Sequence, residues 1–108
     1  MADVGTRKIF ENERLIVWEM VLEPGQKTDV HTHGRDCFVY VIDGSAMEAG
    51  DKDGNVIARV EMASDSSMYL SMDGDELVAG DGRFPATHDA RNVGTNRYRE
   101  LLIELKQK

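Results

Sequence analysis

Hydrophobic and polar residues alternate with a period of two over most of the chain, and this pattern predicts β-strands. The clearest strands are Leu15–Leu22, residues 37–42 and Tyr98–Leu105, which are rich in β-branched and aromatic side chains. Further short strands of the same type are predicted at residues 45–49, 56–62, 68–72 and 76–79 and through His88 to residue 93. No segment has a convincing helical period.

Turn-forming residues separate these segments. They are Pro24-Gly25, Asp43-Gly44, Asp53-Gly54, Asp73-Gly74 and Gly80-Asp81-Gly82. Strands that recur every 8–12 residues or so with such corners are typical of an antiparallel sandwich or barrel. We therefore expect a single all-β domain over residues 1–108, with the weakly patterned residues 1–12 as an N-terminal arm or an edge strand.

Two strands have patterns with consequences beyond the fold. Tyr98–Leu105 carries leucine and isoleucine on one face and Glu100 and Glu104 on the other. Leu15–Leu22 is nearly apolar on both faces, although one barrel can cover only one of them. This second pattern predicts a homodimer in which Leu15–Leu22, with Trp18, lies at or near the interface.

Composition excludes several functional classes. The 108 residues carry a formal charge of −7, which repels phosphate backbones and makes nucleic acid an unfavourable partner. No apolar run is long enough to span a membrane, no signal peptide is recognisable, and the single cysteine cannot form an internal disulfide. We expect a cytoplasmic protein whose partners include neither nucleic acid nor a membrane.

The three histidines of the chain are the candidate chemistry. His31 and His33 are two positions apart, so on a strand both side chains point to the same face, and His88 can join them from an opposing strand. Three imidazoles on one side of a metal ion form a facial ligand set. In this arrangement Thr32 and Asp89 would face outward. The residues expected to keep the site dry are Val39, Val41 and Ala90. The alternative is that the histidines are ordinary core or surface residues.

The spacing around these histidines resembles the first motif of the cupins. That motif has the form G-x5-H-x-H-x3-4-E-x6-G, and every spacing fits Gly25, His31, His33, residue 37 and Gly44. The departure is Cys37, which stands where the family usually has glutamate. The end of the second cupin motif, H-x3-N, is present as His88 and Asn92, whereas the glycines before it are out of register.

The resemblance covers most of the chain, and it is to small single-domain bacterial cupins. It implies a small jelly-roll β-barrel with a divalent metal ion, either iron, zinc, manganese, nickel or copper, held by His31, His33 and His88. It also implies a small organic acid or similar small molecule as ligand, with oxygenase or isomerase chemistry possible. The alternatives are a non-catalytic small-molecule or metal-binding module and a structural cupin without metal. The residues themselves identify no separate general base.

Cys37 has two interpretations. A thiolate at the glutamate position could be a fourth ligand, which would favour zinc or copper(I). A buried free cysteine more often behaves as a small hydrophobic residue. Because cysteine is shorter than glutamate by two heavy atoms, we expect its sulfur to point into the barrel near the histidines without binding the metal.

Overall fold

A computed structural model describes residues 4–106, which form eleven β-strands and no helix. The strands are β1 Arg7–Glu11, β2 Leu15–Leu22, β3 His31–Thr32, β4 Cys37–Asp43, β5 Ser45–Gly50, β6 Val56–Met62, β7 Ser67–Asp73, β8 Glu76–Ala79, β9 Gly82–Pro85, β10 Thr87–Asn92 and β11 Tyr98–Leu105. None of the elements in this range is a helix that could cross a membrane.

The strands form two antiparallel sheets. One has seven strands in the order β1-β2-β11-β4-β7-β8-β9, and the other has four in the order β3-β10-β5-β6. The apolar side chains of the inner faces form one core that includes Trp18, Val39, Met47, Leu70 and Leu102. The all-β antiparallel barrel expected from the sequence is therefore confirmed.

Most predicted strands are present with nearly the expected limits, and three details differ. The weak N-terminal pattern contains an edge strand, β1, which pairs antiparallel with β2. Residues 82–85, of which only Gly82 was assigned to a turn and none to a strand, form the strand β9. Strand β3 has only two residues, so His31 and His33 do not lie on one regular strand. Residues 1–3 of the expected N-terminal arm lie outside the described range.

Two glycines of the motif are required by the backbone. Gly25 closes the turn after β2 with φ of 88°, a left-handed conformation that other residues adopt at a cost. Gly44 joins β4 to β5 where its backbone is packed against the Met62 carbonyl, so any side chain would collide there. These constraints fix the turn after β2 and the end of β4, two strands of the seven-stranded sheet.

Strand β11 faces the barrel in the orientation opposite to the one that its hydrophobic pattern suggests. Its buried residues are Tyr98, Glu100, Leu102 and Glu104, whereas the intervening Leu101, Ile103 and Leu105 are only half-buried on the outer face. The register with its neighbours sets this orientation: Leu102 lies opposite Trp18 on β2 and opposite Val39 on β4, and both of these point inward. Two glutamates are consequently inside the barrel.

Candidate metal centre

The three histidines converge inside the barrel. His31 on β3 lies directly opposite His88 on β10 in the strand register. His33 follows β3 and is held by its backbone N–H, which donates to the Ala86 carbonyl at 2.9 Å. The ring centroids form a nearly equilateral triangle with sides of 5.0, 4.9 and 4.9 Å. One nitrogen of each ring lies within 4.8 Å of the others, and all three side chains are buried.

The hydrogen bonds of the imidazoles leave lone pairs free. His31 Nδ1 lies 3.0 Å from the Asp29 carbonyl and His88 Nδ1 lies 2.7 Å from the Pro85 carbonyl. A carbonyl can only accept, so each Nδ1 carries the proton and each Nε2 keeps a lone pair, which is the tautomer of a metal-binding histidine.

His33 is the member of the cluster with an unsatisfied atom. Within the described residues, its Nδ1 is the one buried side-chain polar atom that has no hydrogen-bond partner. Such an atom is costly in a protein interior and calls for a missing partner. A metal ion shared by the three rings is a partner that this geometry can accommodate.

Burial also keeps the three rings neutral. Removal from water is the largest cause that lowers the pKa of each histidine, and it brings the pKa of His33 to about 3. At neutral pH the rings therefore have lone pairs to offer rather than positive charges. Ligands about 2.1 Å from one ion are about 3 Å apart, so a small inward movement from this triangle suffices to bind a metal.

The residues around the cluster agree only in part with the sequence expectations. Thr32 is exposed, as expected, and Val39 and Ala90 line the cavity beside the histidines. The expectation for Asp89 was wrong, because its side chain is only 13% exposed and it contributes to the cavity wall. Strand β10 packs against β5 there, and this pairing covers Asp89. Val41 is fully buried but is not among the residues that line the cavity.

Cys37 is buried in the barrel but lies outside the histidine cluster. The candidate ligand atoms that lie within 4.8 Å of one another belong to the three histidines, and the Cys37 sulfur is not one of them. Its backbone pairs with Glu104 of β11, and burial, with Glu104 and Glu100 nearby, raises the pKa of the thiol to about 12. A neutral thiol is a weak metal ligand. The geometry therefore favours Cys37 as a core residue, and it does not line the cavity beside the histidines.

A cavity of about 150 Å³ extends from the histidines into the barrel. Most of its wall is apolar and rich in methionine, formed by Val4, Met20, Val39, Met47, Ala49, Val60, Met62, Met68, Leu70, Phe84, Ala90 and Leu102. The polar residues of the wall, other than the histidines, are Glu48, Asp89, Tyr98 and Glu100. A cavity of this volume holds a molecule about the size of benzene.

Glu100 is the functional candidate that sequence reasoning missed. It is buried on the inner face of β11, and its Oε1 accepts a hydrogen bond from the Tyr98 hydroxyl at 2.5 Å. Burial raises the pKa of this carboxyl from 4.5 to about 7, although the Tyr98 hydrogen bond acts in the opposite direction. The sequence does show Glu100 alternating with apolar residues in Tyr98–Leu105, which marks it as a strand residue. The alternation alone does not show which face of the strand points into the barrel.

The second glutamate of β11 has a different environment. Glu104 is also buried, but its Oε1 accepts a hydrogen bond from Trp18 Nε1 at 2.8 Å and it does not line the cavity. Arg35, a half-exposed residue, places Nη1 3.9 Å from the same oxygen. Glu104 therefore joins two parts of the core, whereas Glu100 faces the open space.

Asn92, the last residue of the second motif, has a structural role. Its Oδ1 accepts hydrogen bonds from Ser45 Oγ and the Gly94 N–H, at 2.8 and 3.0 Å. Its Nδ2 donates to the carbonyls of Leu22 and Asn96, at 2.9 and 2.7 Å. This fully buried side chain connects β5, the end of β2 and the loop before β11, and it makes no contribution to the cavity wall.

Comparison with solved structures identifies the fold. The chain is similar to a cupin domain from Bordetella pertussis Tohama I, with 19% identity, 99% of each chain covered and a TM-score of 0.72. It is also similar to an RmlC-like cupin family protein with a double-stranded β-helix fold from Methanocaldococcus jannaschii, with 11% identity, 97% and 85% covered and a TM-score of 0.60. A third similar structure is the polyketide cyclase RemF from Streptomyces resistomycificus, with 17% identity, 94% of this chain and 63% of RemF covered and a TM-score of 0.60.

No protein-family model and no curated protein matches the chain. The three solved structures nevertheless agree on the architecture over 94 to 99% of this chain, so the protein is a small cupin-fold protein. Its own features are three converging histidines and a cysteine at the position where the motif usually has glutamate.

Proposed function

We propose that this cupin-fold protein binds a divalent metal ion through His31, His33 and His88 and uses it to bind a small organic molecule. The observation that carries the proposal is the triangle of neutral, buried imidazoles in which one nitrogen has no partner. Three nitrogen ligands on one side of an ion leave positions open on the other side, toward the cavity.

The chain's own residues supply position and environment, and the metal would supply Lewis-acid chemistry. The backbone carbonyls of Asp29 and Pro85 orient two of the rings, and the β3–β10 pairing holds them at a fixed separation. The apolar cavity wall excludes water from the ligand, which strengthens its polar interactions. Oxygenase-like or isomerase-like turnover of a small organic acid fits such a site, and the alternative is a non-catalytic binding module.

Metal analysis tests the proposal. Protein purified without a nickel column is dialysed against one equivalent of Fe²⁺, Zn²⁺ or Ni²⁺ under exclusion of oxygen, and bound metal is measured by mass spectrometry. We expect close to one ion per chain in the wild type and a loss of most of it in His33→Ala. Thr32→Val is the matched control, because Thr32 lies between the two histidines but is exposed. Equal metal content in wild type and His33→Ala would contradict the proposal.

Catalysis is tested separately from binding. Oxygen uptake by the Fe²⁺-loaded protein is followed with a panel of small carboxylic and hydroxy acids that the cavity can hold. Uptake that depends on both the acid and His33 supports an oxygenase. Conversion of the acid without oxygen uptake supports an isomerase, and binding without turnover supports the binding module.

We also propose a homodimer that buries the outer face of the seven-stranded sheet. The register places one row of apolar side chains across five strands, namely Phe10, Val17, Ile103, Phe38 and Tyr69. Phe10 is 52% and Tyr69 47% exposed, and the other three are half-buried. A continuous apolar sheet face is typical of an interface, and a second copy of the same face can cover it by two-fold symmetry.

A further inference from the structure

The carboxyl of Glu100 is incompletely satisfied. Its Oε1 accepts the Tyr98 hydroxyl, and its Oε2 has no hydrogen bond to any residue between 4 and 106. In the described part of the chain, His33 Nδ1 is the one fully enclosed side-chain polar atom without a partner, so Oε2 of Glu100 is not fully enclosed. This oxygen therefore borders open space, and Glu100 lines the cavity. A carboxyl oxygen that borders an otherwise apolar cavity is available to a ligand.

The cavity has polar groups in two places. The histidines are on β3, β10 and the segment after β3, whereas Glu100 and Tyr98 are on β11 in the other sheet. The wall between them is mainly methionine, valine and leucine. A ligand of about five to eight non-hydrogen atoms, the size that the cavity holds, would occupy a space whose wall includes both places.

We propose that Glu100 is the acid–base residue of the cavity, which accepts the proton that a weakly acidic ligand loses when its oxygen binds at the histidines. The inference rests on the proposed metal-dependent function. It adds a residue to the site and a chemical class to the ligand: a compact, largely apolar molecule with a weakly acidic O–H, such as an enol, a hydroxamic acid or a phenol. Tyr98 is a positioning residue, because its hydroxyl holds the carboxylate toward the cavity.

The proton transfer balances without any further reactant. The O–H bond of the ligand breaks, an O–H bond forms at Glu100, and the negative charge moves from the carboxylate to the ligand oxygen. Glu100 suits this exchange because burial brings its pKa to about 7, so both forms are accessible near neutral pH. The other titratable groups on the cavity wall or the inner faces around Glu100 are Tyr98, Cys37, Glu104, Glu48, Asp89 and the three histidines.

The experiment counts protons that are released when a probe binds. Nickel-loaded protein is titrated with acetohydroxamic acid at pH 8 by calorimetry in two buffers of different ionisation enthalpy. Nickel is chosen because zinc-bound water itself ionises at about pH 7 and would act as a second base. In the wild type we expect almost no proton release to the buffer, because ionised Glu100 takes up the proton and the negative charge of the bound ligand raises the pKa of this carboxyl further, so that it keeps the proton at pH 8. Glu100→Gln should release about one proton per site, since its amide cannot accept one.

Two controls make the result specific. Glu104→Gln changes the other buried glutamate on the same face of β11, which does not line the cavity, so its proton release should equal that of the wild type. In the wild type the release should also rise toward one as the pH is lowered from 8 to 6, because Glu100 is then already protonated. The value for Glu100→Gln should not depend on pH in this range.

A measurement without metal tests the same residue. Infrared difference spectra of the metal-free protein should show a protonated carboxyl band that disappears between pH 6 and pH 8 in the wild type and is absent from Glu100→Gln. If Glu100→Gln does not fold, Tyr98→Phe replaces it. Loss of the hydroxyl that lowers the pKa of Glu100 should move both the infrared transition and the proton-release curve to higher pH.

The outcomes separate the two proposals. Nickel binding with equal proton release in wild type and Glu100→Gln overturns the role of Glu100 and leaves the metal centre intact. Nickel binding without acetohydroxamate binding overturns the ligand class and therefore this inference. Failure of the wild type to bind nickel overturns the metal centre and the inference together.

Discussion

Glu100 makes a quantitative prediction about stability, because a buried acid with a raised pKa destabilises the folded protein as the pH rises. The folded state keeps the Glu100 proton up to about pH 7, whereas the unfolded chain loses it near pH 4.5. Between these values the folded state binds more protons, so the free energy of unfolding falls with increasing pH. At about 1.4 kcal/mol per pKa unit, the total loss is about 3 kcal/mol.

The perturbation is Glu100→Gln, which preserves shape and an acceptor for the Tyr98 hydroxyl but cannot ionise. We expect the free energy of unfolding of the variant, relative to the wild type, to be constant below pH 4.5. It should rise by about 3 kcal/mol between pH 4.5 and 7.5 and stay constant above that range. The buried histidines contribute a pH dependence of the opposite sign below pH 6.5, but they are present in both proteins and cancel in the difference.

The assay is urea unfolding of the metal-free proteins at half-unit pH intervals. Fluorescence reports on the core, because Trp18 is the only tryptophan and is buried. Tyr98→Phe should extend the pH-dependent range to higher pH. The hydrogen bond from the Tyr98 hydroxyl lowers the pKa of Glu100, so its loss raises that pKa. A stability difference between Glu100→Gln and wild type that is independent of pH would falsify the reasoning, because it would mean that Glu100 is hydrated in the folded state.

Three further predictions concern the site, the assembly and the second motif. Cys37→Ala should leave the metal content unchanged and Cys37→Glu should lower the metal dissociation constant, both measured by competition with a chromophoric chelator; loss of metal in the alanine variant would identify the thiolate as a ligand. Ile103→Asp should convert the proposed homodimer to a monomer in analytical ultracentrifugation, and a wild-type monomer at micromolar concentration would contradict the proposed interface. Asn92→Ala should lower the free energy of unfolding by about 3 kcal/mol in urea titrations, because four hydrogen bonds are lost, two of them buried and two partly buried; a loss under about 1 kcal/mol would contradict that role.

The sequence predicts most of this fold because the strands are short, alternate regularly and are bounded by turn residues. The convergence of His31, His33 and His88 also follows from local information, since motif spacing fixes which strands bring them together. The strand assumption behind it was only partly right, because His33 is placed by a hydrogen bond to Ala86 rather than by regular β-structure.

The acidic part of the cavity could not be predicted, because it depends on strand register. The pattern of β11 defines two faces without showing which one is inside, and leucine and isoleucine make the outer face the more obvious candidate for the core. Only the pairing of Leu102 with Trp18 and Val39 shows that Glu100 points inward. Asp89 is a similar case, since its burial results from packing against β5 and not from its own position in β10.

The inverted faces of β11 also bear on how the chain folds. A shift of this strand by one residue would turn Leu101, Ile103 and Leu105 into the barrel and move both glutamates into water, which burial of apolar area alone would favour. The native register is instead stabilised by the complete antiparallel pairing with β2, which runs from Tyr98 opposite Leu22 to Leu105 opposite Leu15. Strand β11 thus has an attractive wrong alignment with its neighbours, and the ladders with β2 and β4 select the native register against the hydrophobicity of the strand itself.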